Sequence, residues 1–172
     1  KKFQLTTRCA PSTSYLTHFD FSDDGMRVQA ATGSQELLFY DTATGDLIQT
    51  PSAMKNVDWH TWTIPIGWPV QGLWPEPSDA VPVALLTSTH RSNNQALIAA
   101  ADEFGGVRVV RYPCIDPRSQ FINLPAHSMH TTKVRFNSDD TALFTLGGTD
   151  RAIVQFSLKG DRTSRSTMQM GD

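Results

Sequence analysis

Three side chains late in the chain have the types needed for general acid–base or nucleophilic chemistry: His127, Thr145 and Asp150. A threonine hydroxyl attacks a substrate only when a base takes its proton and a third group orients that base. The same trio has a second reading. A carboxylate in a turn accepts from one imidazole nitrogen, the other nitrogen reaches a strand hydroxyl, and a turn is tied to the strand before it. A nucleophile must be exposed and activated, whereas a tether is buried and satisfied. The tether is the preferred reading, and no catalytic residue is assigned.

Other constellations are thinner. His127 and His130 form an H-x-x-H pair, but Cys9 and Cys114 are far away in sequence and no carboxylate stands beside it, so no metal is expected. SDDG (22–25) and NSDDT (137–141) match only part of a calcium loop and read as hairpin turns, their Asp pairs solvated. Neither a G-x-G-x-x-G nor a GKT/S phosphate loop is present, so no cofactor is expected.

The elements that must position these residues are strands. The chain has 172 residues, enough for one domain, and a net charge of −2. That balance argues against nucleic acid as a partner, since nucleic-acid binders carry a basic excess. No apolar run reaches the ~18 residues of a membrane span. Two cysteines make no disulfide framework and suit a reducing compartment. The first residue is Lys1 rather than Met, so the chain is expected to be a piece of a longer protein.

Strand-like runs alternate with tight turns rich in Asp, Asn, Ser and Gly. A first copy covers 15–21, 26–32 and 36–40, with Leu47 and Ile48 opening a fourth strand. A second covers 81–87, 96–101, 107–112 and 121–124, with His90 to Gln95 as a turn. A third covers 132–136, 142–146 and 152–158. FSDDGMRV (21–28) overlays on FNSDDTAL (136–143) with the same step from Phe to the aliphatic residue. Repeats of ~40–45 residues with four strands each predict an all-β fold of WD40-type β-propeller blades. Three copies are fewer than the four to eight blades of a closed ring, so the chain is expected to hold about three blades of a larger propeller.

Residues 1–8 are expected to be an orphan strand completing a preceding blade, 10–158 the blades, and 159–172 a polar tail. Within the blades, 51–79 is an insertion that carries all four tryptophans: Trp59, Trp62, Trp68 and Trp74. Its prolines predict short extended pieces with bends and no helix. Its indoles are expected to pack under a long connection, each N–H needing an acceptor, rather than to form a ligand cage. In the third copy Phe156 stands where WD repeats place Trp, so His127, Thr145, Asp150 and Phe156 form a tetrad-like set. In the first copy Ser12 and Ala30 occupy the His and hydroxyl places.

The runs PSAMKNVDW, GWPVQGLWPEPSD, ADEFGGVRVVRYPC, AHSMHTTKVRF and GSQELLFYD resemble the carboxy-terminal part of the echinoderm microtubule-associated protein-like family. Together they cover most of 15–158. The resemblance implies a non-enzymatic scaffold of the cytoplasm and microtubule cytoskeleton, including the cilium or flagellum axoneme, that contacts tubulin or another microtubule protein. It also implies that the rest of its own propeller is a partner. The alternative is a WD-repeat adaptor docking a non-tubulin protein. Lys55, Trp59, Arg91, Arg108, Arg111 and Arg151 are the candidate partner-binding residues, the cations being expected in surface turns where they can gather into a patch.

Overall fold

The computed structural model describes residues 2–74 and 85–159. Strands β1 (Leu16–Phe21), β2 (Arg27–Thr32) and β3 (Leu37–Asp41) form a first sheet. Strands β4 (Leu86–Arg91), β5 (Leu97–Asp102), β6 (Gly106–Arg111) and β7 (Phe121–Pro125) form a second. Strands β8 (Thr131–Phe136), β9 (Ala142–Gly147) and β10 (Ile153–Ser157) form a third. Each sheet is an antiparallel meander, and the whole is a partial propeller of about three blades.

The repeat shows in the backbone as well. The first strand of each sheet carries a register shift at the same place: Leu16/His18, Leu86/Ser88 and Thr131/Lys133. A bulge strengthens local twist, so three sheets with the same bulge share one shape and can stack. The turns repeat too, with the same left-handed position filled by Gly25, Gln95 and Asp140.

Side-chain alternation explains the packing. Along β5, Ile98 and Ala100 face a cluster that includes Phe39, Met54, Trp59, Trp62 and Val110. Ala99 and Ala101 face the opposite cluster, with Val107, Val134, Phe136 and Leu143. The second sheet is therefore covered on both faces, which is why β5 reads as an almost unbroken apolar run. Each fully buried aliphatic side chain here contributes roughly 1.5–3 kcal/mol. The first sheet is covered on one face only. His18 and Asp20 turn inward, while Phe19 and Phe21 remain 62% and 48% exposed and meet edge to face.

Several expectations need correction. Lys2 to Thr7 pairs with no strand among the described residues, and Phe3 and Leu5 alternate but are fully or largely exposed. The segment is held instead by Thr7 Oγ1 donating to Ala43 O at 3.2 Å and Ala10 N donating to Gly45 O at 3.0 Å. Leu47 makes a single bridge to Tyr40 rather than a fourth strand. His90 and Arg91 belong to β4 and not to a turn, because their polar atoms find partners inside the fold. The insertion holds two 3-10 turns, Pro51–Met54 and Trp68–Leu73, each with proline in the first positions, where a missing N–H costs nothing. The expected strand at 81–87 falls partly, the end of the insertion at 75–79 wholly, and the tail at 160–172 wholly, outside the described residues.

Candidate functional site

The loop after β7 brings His127 against β9 and the β9–β10 turn. His127 Nδ1 lies 2.9 Å from Asp150 Oδ2, and Nε2 lies 2.9 Å from Thr145 Oγ1. The imidazole is fully buried and Thr145 is 0% exposed, while the Asp150 carboxylate is 27% exposed. The hydrogen bond from His127 holds the Asp150 carboxyl below its usual range, helped by the Ala152 amide. The hydroxyl is closed off from solvent, and the hydrogen bonds link the turn at Asp150 to β9 through the imidazole. Gly147 makes room for it: a methyl there would overlap both Asp150 Oδ1 and His127 Nδ1. Phe156 lies outside the hydrogen bonds. It pairs with Leu143 across the strands and packs, half-buried, on the apolar cluster. In the first sheet Ala30 fills the place of Thr145, and Ser12 donates to Ser14 O in its own turn.

The second and third sheets are joined by further polar contacts. Asp140 Oδ1 accepts from Asn93 N at 2.9 Å and Oδ2 from Asn94 N at 2.8 Å. Burial alone would raise the Asp140 carboxyl, but these amides outweigh it and hold it low. The Phe136 amide donates to His90 Nδ1 at 3.1 Å, which requires a neutral ring there. Burial, assisted by nearby Arg135, lowers His90 to about 4.

Between the first and second sheets the insertion takes the neighbour's place. Ser22 bridges Trp59, and Asp23 N donates to Asp58 O. Two buried charges fix it from either side. Asp20, 1% exposed on β1, accepts from the Thr61 and Thr63 hydroxyls, from Thr63 N and from Gln29 Nε2. Arg91, 8% exposed at the end of β4, donates through Nη2 to Trp59 O at 2.6 Å and His60 O at 3.0 Å. The indoles find their acceptors locally: Trp62 Nε1 donates to Ile64 O and Trp74 Nε1 to Pro65 O, both at 2.8 Å. Gly67, at φ +139°, sits where any side chain would strike the Trp62 ring.

This wedge leaves a cleft of about 380 Å³ beside it. Lys55, Trp59 and Arg91 border the cleft; Arg108, Arg111 and Arg151 do not. The expected patch of surface cations is thus only partly assembled. Trp59 is 4% exposed, with its ring against Phe39, and Arg91 is buried beneath the insertion rather than lying in a surface turn. Arg108 lies over the Phe121 ring, Arg111 is exposed on β6, and Arg151 is exposed after Asp150. Sequence reasoning missed Asp20, Arg91 as an anchor, Asp140 and His90. An acidic residue alternating with phenylalanines in THFDF was the signal for Asp20. Among the described residues no group of three or more His, Cys, Asp or Glu is placed to hold a metal ion.

Residues 1–158 match the family model described as the echinoderm microtubule-associated protein second beta-propeller. The chain is 38% identical over 158 residues to the 77 kDa echinoderm microtubule-associated protein of Strongylocentrotus purpuratus, covering 92% of this chain and 23% of that protein. It is 37% identical over 159 residues to the human echinoderm microtubule-associated protein-like 4, covering 92% of this chain and 16% of that protein. Among solved structures, the beta-propeller domain of Myceliophteria thermophila Cps50 (Swd1) aligns over 94% of this chain and 57% of its own, with a TM-score of 0.58 and 13% identity. The computationally designed Ika4 protein aligns over 92% of this chain and all of its own, with a TM-score of 0.53 and 12% identity. These two likenesses concern the fold alone.

Proposed function

Since the chain belongs to the echinoderm microtubule-associated protein family, we propose that it supplies blades of a non-enzymatic scaffold that contacts tubulin or another microtubule protein. The observation that carries this reading is the likeness to the sea-urchin protein, whose name states its microtubule association, across 92% of the chain. The chain spans only 23% of that relative's length. The buried Thr145 hydroxyl supports a scaffold over an enzyme, since the one hydroxyl–imidazole–carboxylate set that suggested nucleophilic chemistry is spent inside the fold. The uncovered apolar residues Phe19 and Phe21 on the first sheet, and Ile153 on the third, suit burial by further blades of the same ring. Residues 1–8 would then lie along the outer edge of the preceding blade. The microtubule cytoskeleton, axonemes included, is the expected location.

The second reading, an adaptor for a non-tubulin protein, is favoured by the charge of −2. A near-neutral surface gives little long-range steering toward an acidic filament. Co-sedimentation of the full-length protein with microtubules across a salt series, with and without residues 1–172, separates the two. Binding that needs this segment and weakens with salt supports a tubulin contact. Undiminished binding without the segment moves the partner search away from tubulin.

A further inference from the structure

Arg91 is a buried cation at the end of β4. It is 8% exposed, and among the described residues no carboxylate comes within ion-pair distance of it. Two backbone carbonyls and the Tyr112 ring, 5.3 Å from the guanidinium carbon, compensate part of the desolvation. Only Nη2 is taken by the carbonyls, and the guanidinium borders the open cleft beside the insertion. The rest of the lining is of the kind that holds peptides: the half-buried Trp68 and Tyr112 offer aromatic surface, and Ile115 stands 60% exposed. Lys55 adds a second cation to the lining. Asp58 also borders the cleft, but pairs with neither Lys55 nor Arg91, so the balance among the described lining residues is one positive charge in excess.

We propose that this cleft docks an extended segment of a protein partner that carries a carboxylate beside apolar side chains, the carboxylate meeting Arg91 and the apolar groups lying on Trp68 and Tyr112. The charge excess selects an anion. The aromatic walls select a peptide over a free inorganic ion, because they offer it no contact. A volume of 380 Å³ suits two or three side chains, at the lower end of ordinary ligand clefts. A charge-assisted hydrogen bond in such a setting is roughly twice as strong as a neutral one. The cleft is lined by the insertion and the second blade, so it would hold such a segment whether or not the whole protein contacts tubulin.

The test is fluorescence anisotropy with the full chain and labelled nonapeptides bearing Glu at the centre and Leu, Pro or Trp on both sides. The same peptides with central Gln are measured in parallel. Ile115→Glu and Lys55→Glu, both at exposed positions, are checked for an unchanged tryptophan spectrum. At least one Glu peptide is expected to bind ~10-fold tighter than its Gln form, and both substitutions are expected to abolish that preference. Equal binding of Glu and Gln peptides, binding indifferent to Ile115→Glu, or no binding by any peptide overturns the proposal. So does self-association of the chain that Ile115→Glu dissolves, since the occupant would then be a second copy.

Discussion

The Asp20 carboxylate on β1 accepts a hydrogen bond from the backbone N–H of Thr63, 43 residues further along the chain, at 2.9 Å. One buried side chain thereby fastens the tryptophan-rich insertion to the first blade. Asp20→Ala would leave two hydroxyls, the Thr63 backbone amide and the Gln29 side-chain amide short of an acceptor in a dry environment, at about 1–3 kcal/mol for each group that finds no substitute. Urea unfolding should show a loss above about 2 kcal/mol, and limited proteolysis should newly cut within the insertion. Wild-type stability with an uncut insertion would mean that the contact carries no weight.

Removing the His127 imidazole tests the tether in the third blade. His127→Ala leaves the buried Thr145 hydroxyl only its long contact to Val154 O at 3.5 Å and should cost ~1–3 kcal/mol in a thermal or chemical melt. Asp150→Asn, at a partly solvated carboxylate, should cost less. An unchanged melt for both would show that the hydrogen bonds are dispensable.

Gly147→Ala asks the same question sterically. The added methyl would overlap the His127–Asp150 pair, so the variant should lose stability although alanine suits a strand better than glycine does. The His127→Ala background should absorb most of that loss, because the methyl then has space. Equal losses in both backgrounds would refute the steric account.

Acid should weaken the fold before the carboxylates titrate. His18 and His90 are lowered from 6.5 to about 4, His18 by burial and Lys133, His90 by burial and Arg135. Between those values the unfolded chain binds protons that the native chain does not, so stability falls as pH drops from about 6.5 to about 4. Asp150, held below its usual range, adds a loss in the same direction at lower pH. His90→Gln keeps an acceptor for the Phe136 amide and should flatten the slope of melting temperature against pH. A slope unchanged by that substitution would locate the titration elsewhere.

Tryptophan emission reports on the insertion. Trp62, 2% exposed, should resist iodide quenching, and Trp62→Ala should cost ~3–5 kcal/mol. Ready quenching of the whole emission in the native protein would contradict the burial of Trp59 and Trp62.

The strand-and-turn plan was legible because each hairpin turn announces itself in polar residues. SDDG and NSDD mark the same left-handed corner in the first and third blades. The His127 set was visible for a similar reason, as a polar trio spaced across one repeat. The inward face of β1 was not legible. Alternation separates Phe19 and Phe21 from His18 and Asp20, yet in a stacked ring both faces are covered, and nothing local says that the charged one meets this chain's own insertion. The anchoring role of Arg91 was hidden because its acceptors are backbone carbonyls, which leave no mark in a sequence. Two short 3-10 turns likewise escaped a reading that treated proline only as a helix breaker.

The wedge between the first two blades has a consequence for symmetry. Blades that repeat one shape offer an approaching molecule several near-equivalent edges, and such a ring has no built-in address. Here the second and third blades meet directly through Asp140 and His90, whereas the first and second meet through an inserted segment held by Asp20 and Arg91. Of the two joints among the described residues, this dissimilar one is a landmark: a partner that recognises it is set at one position and in one orientation relative to these blades.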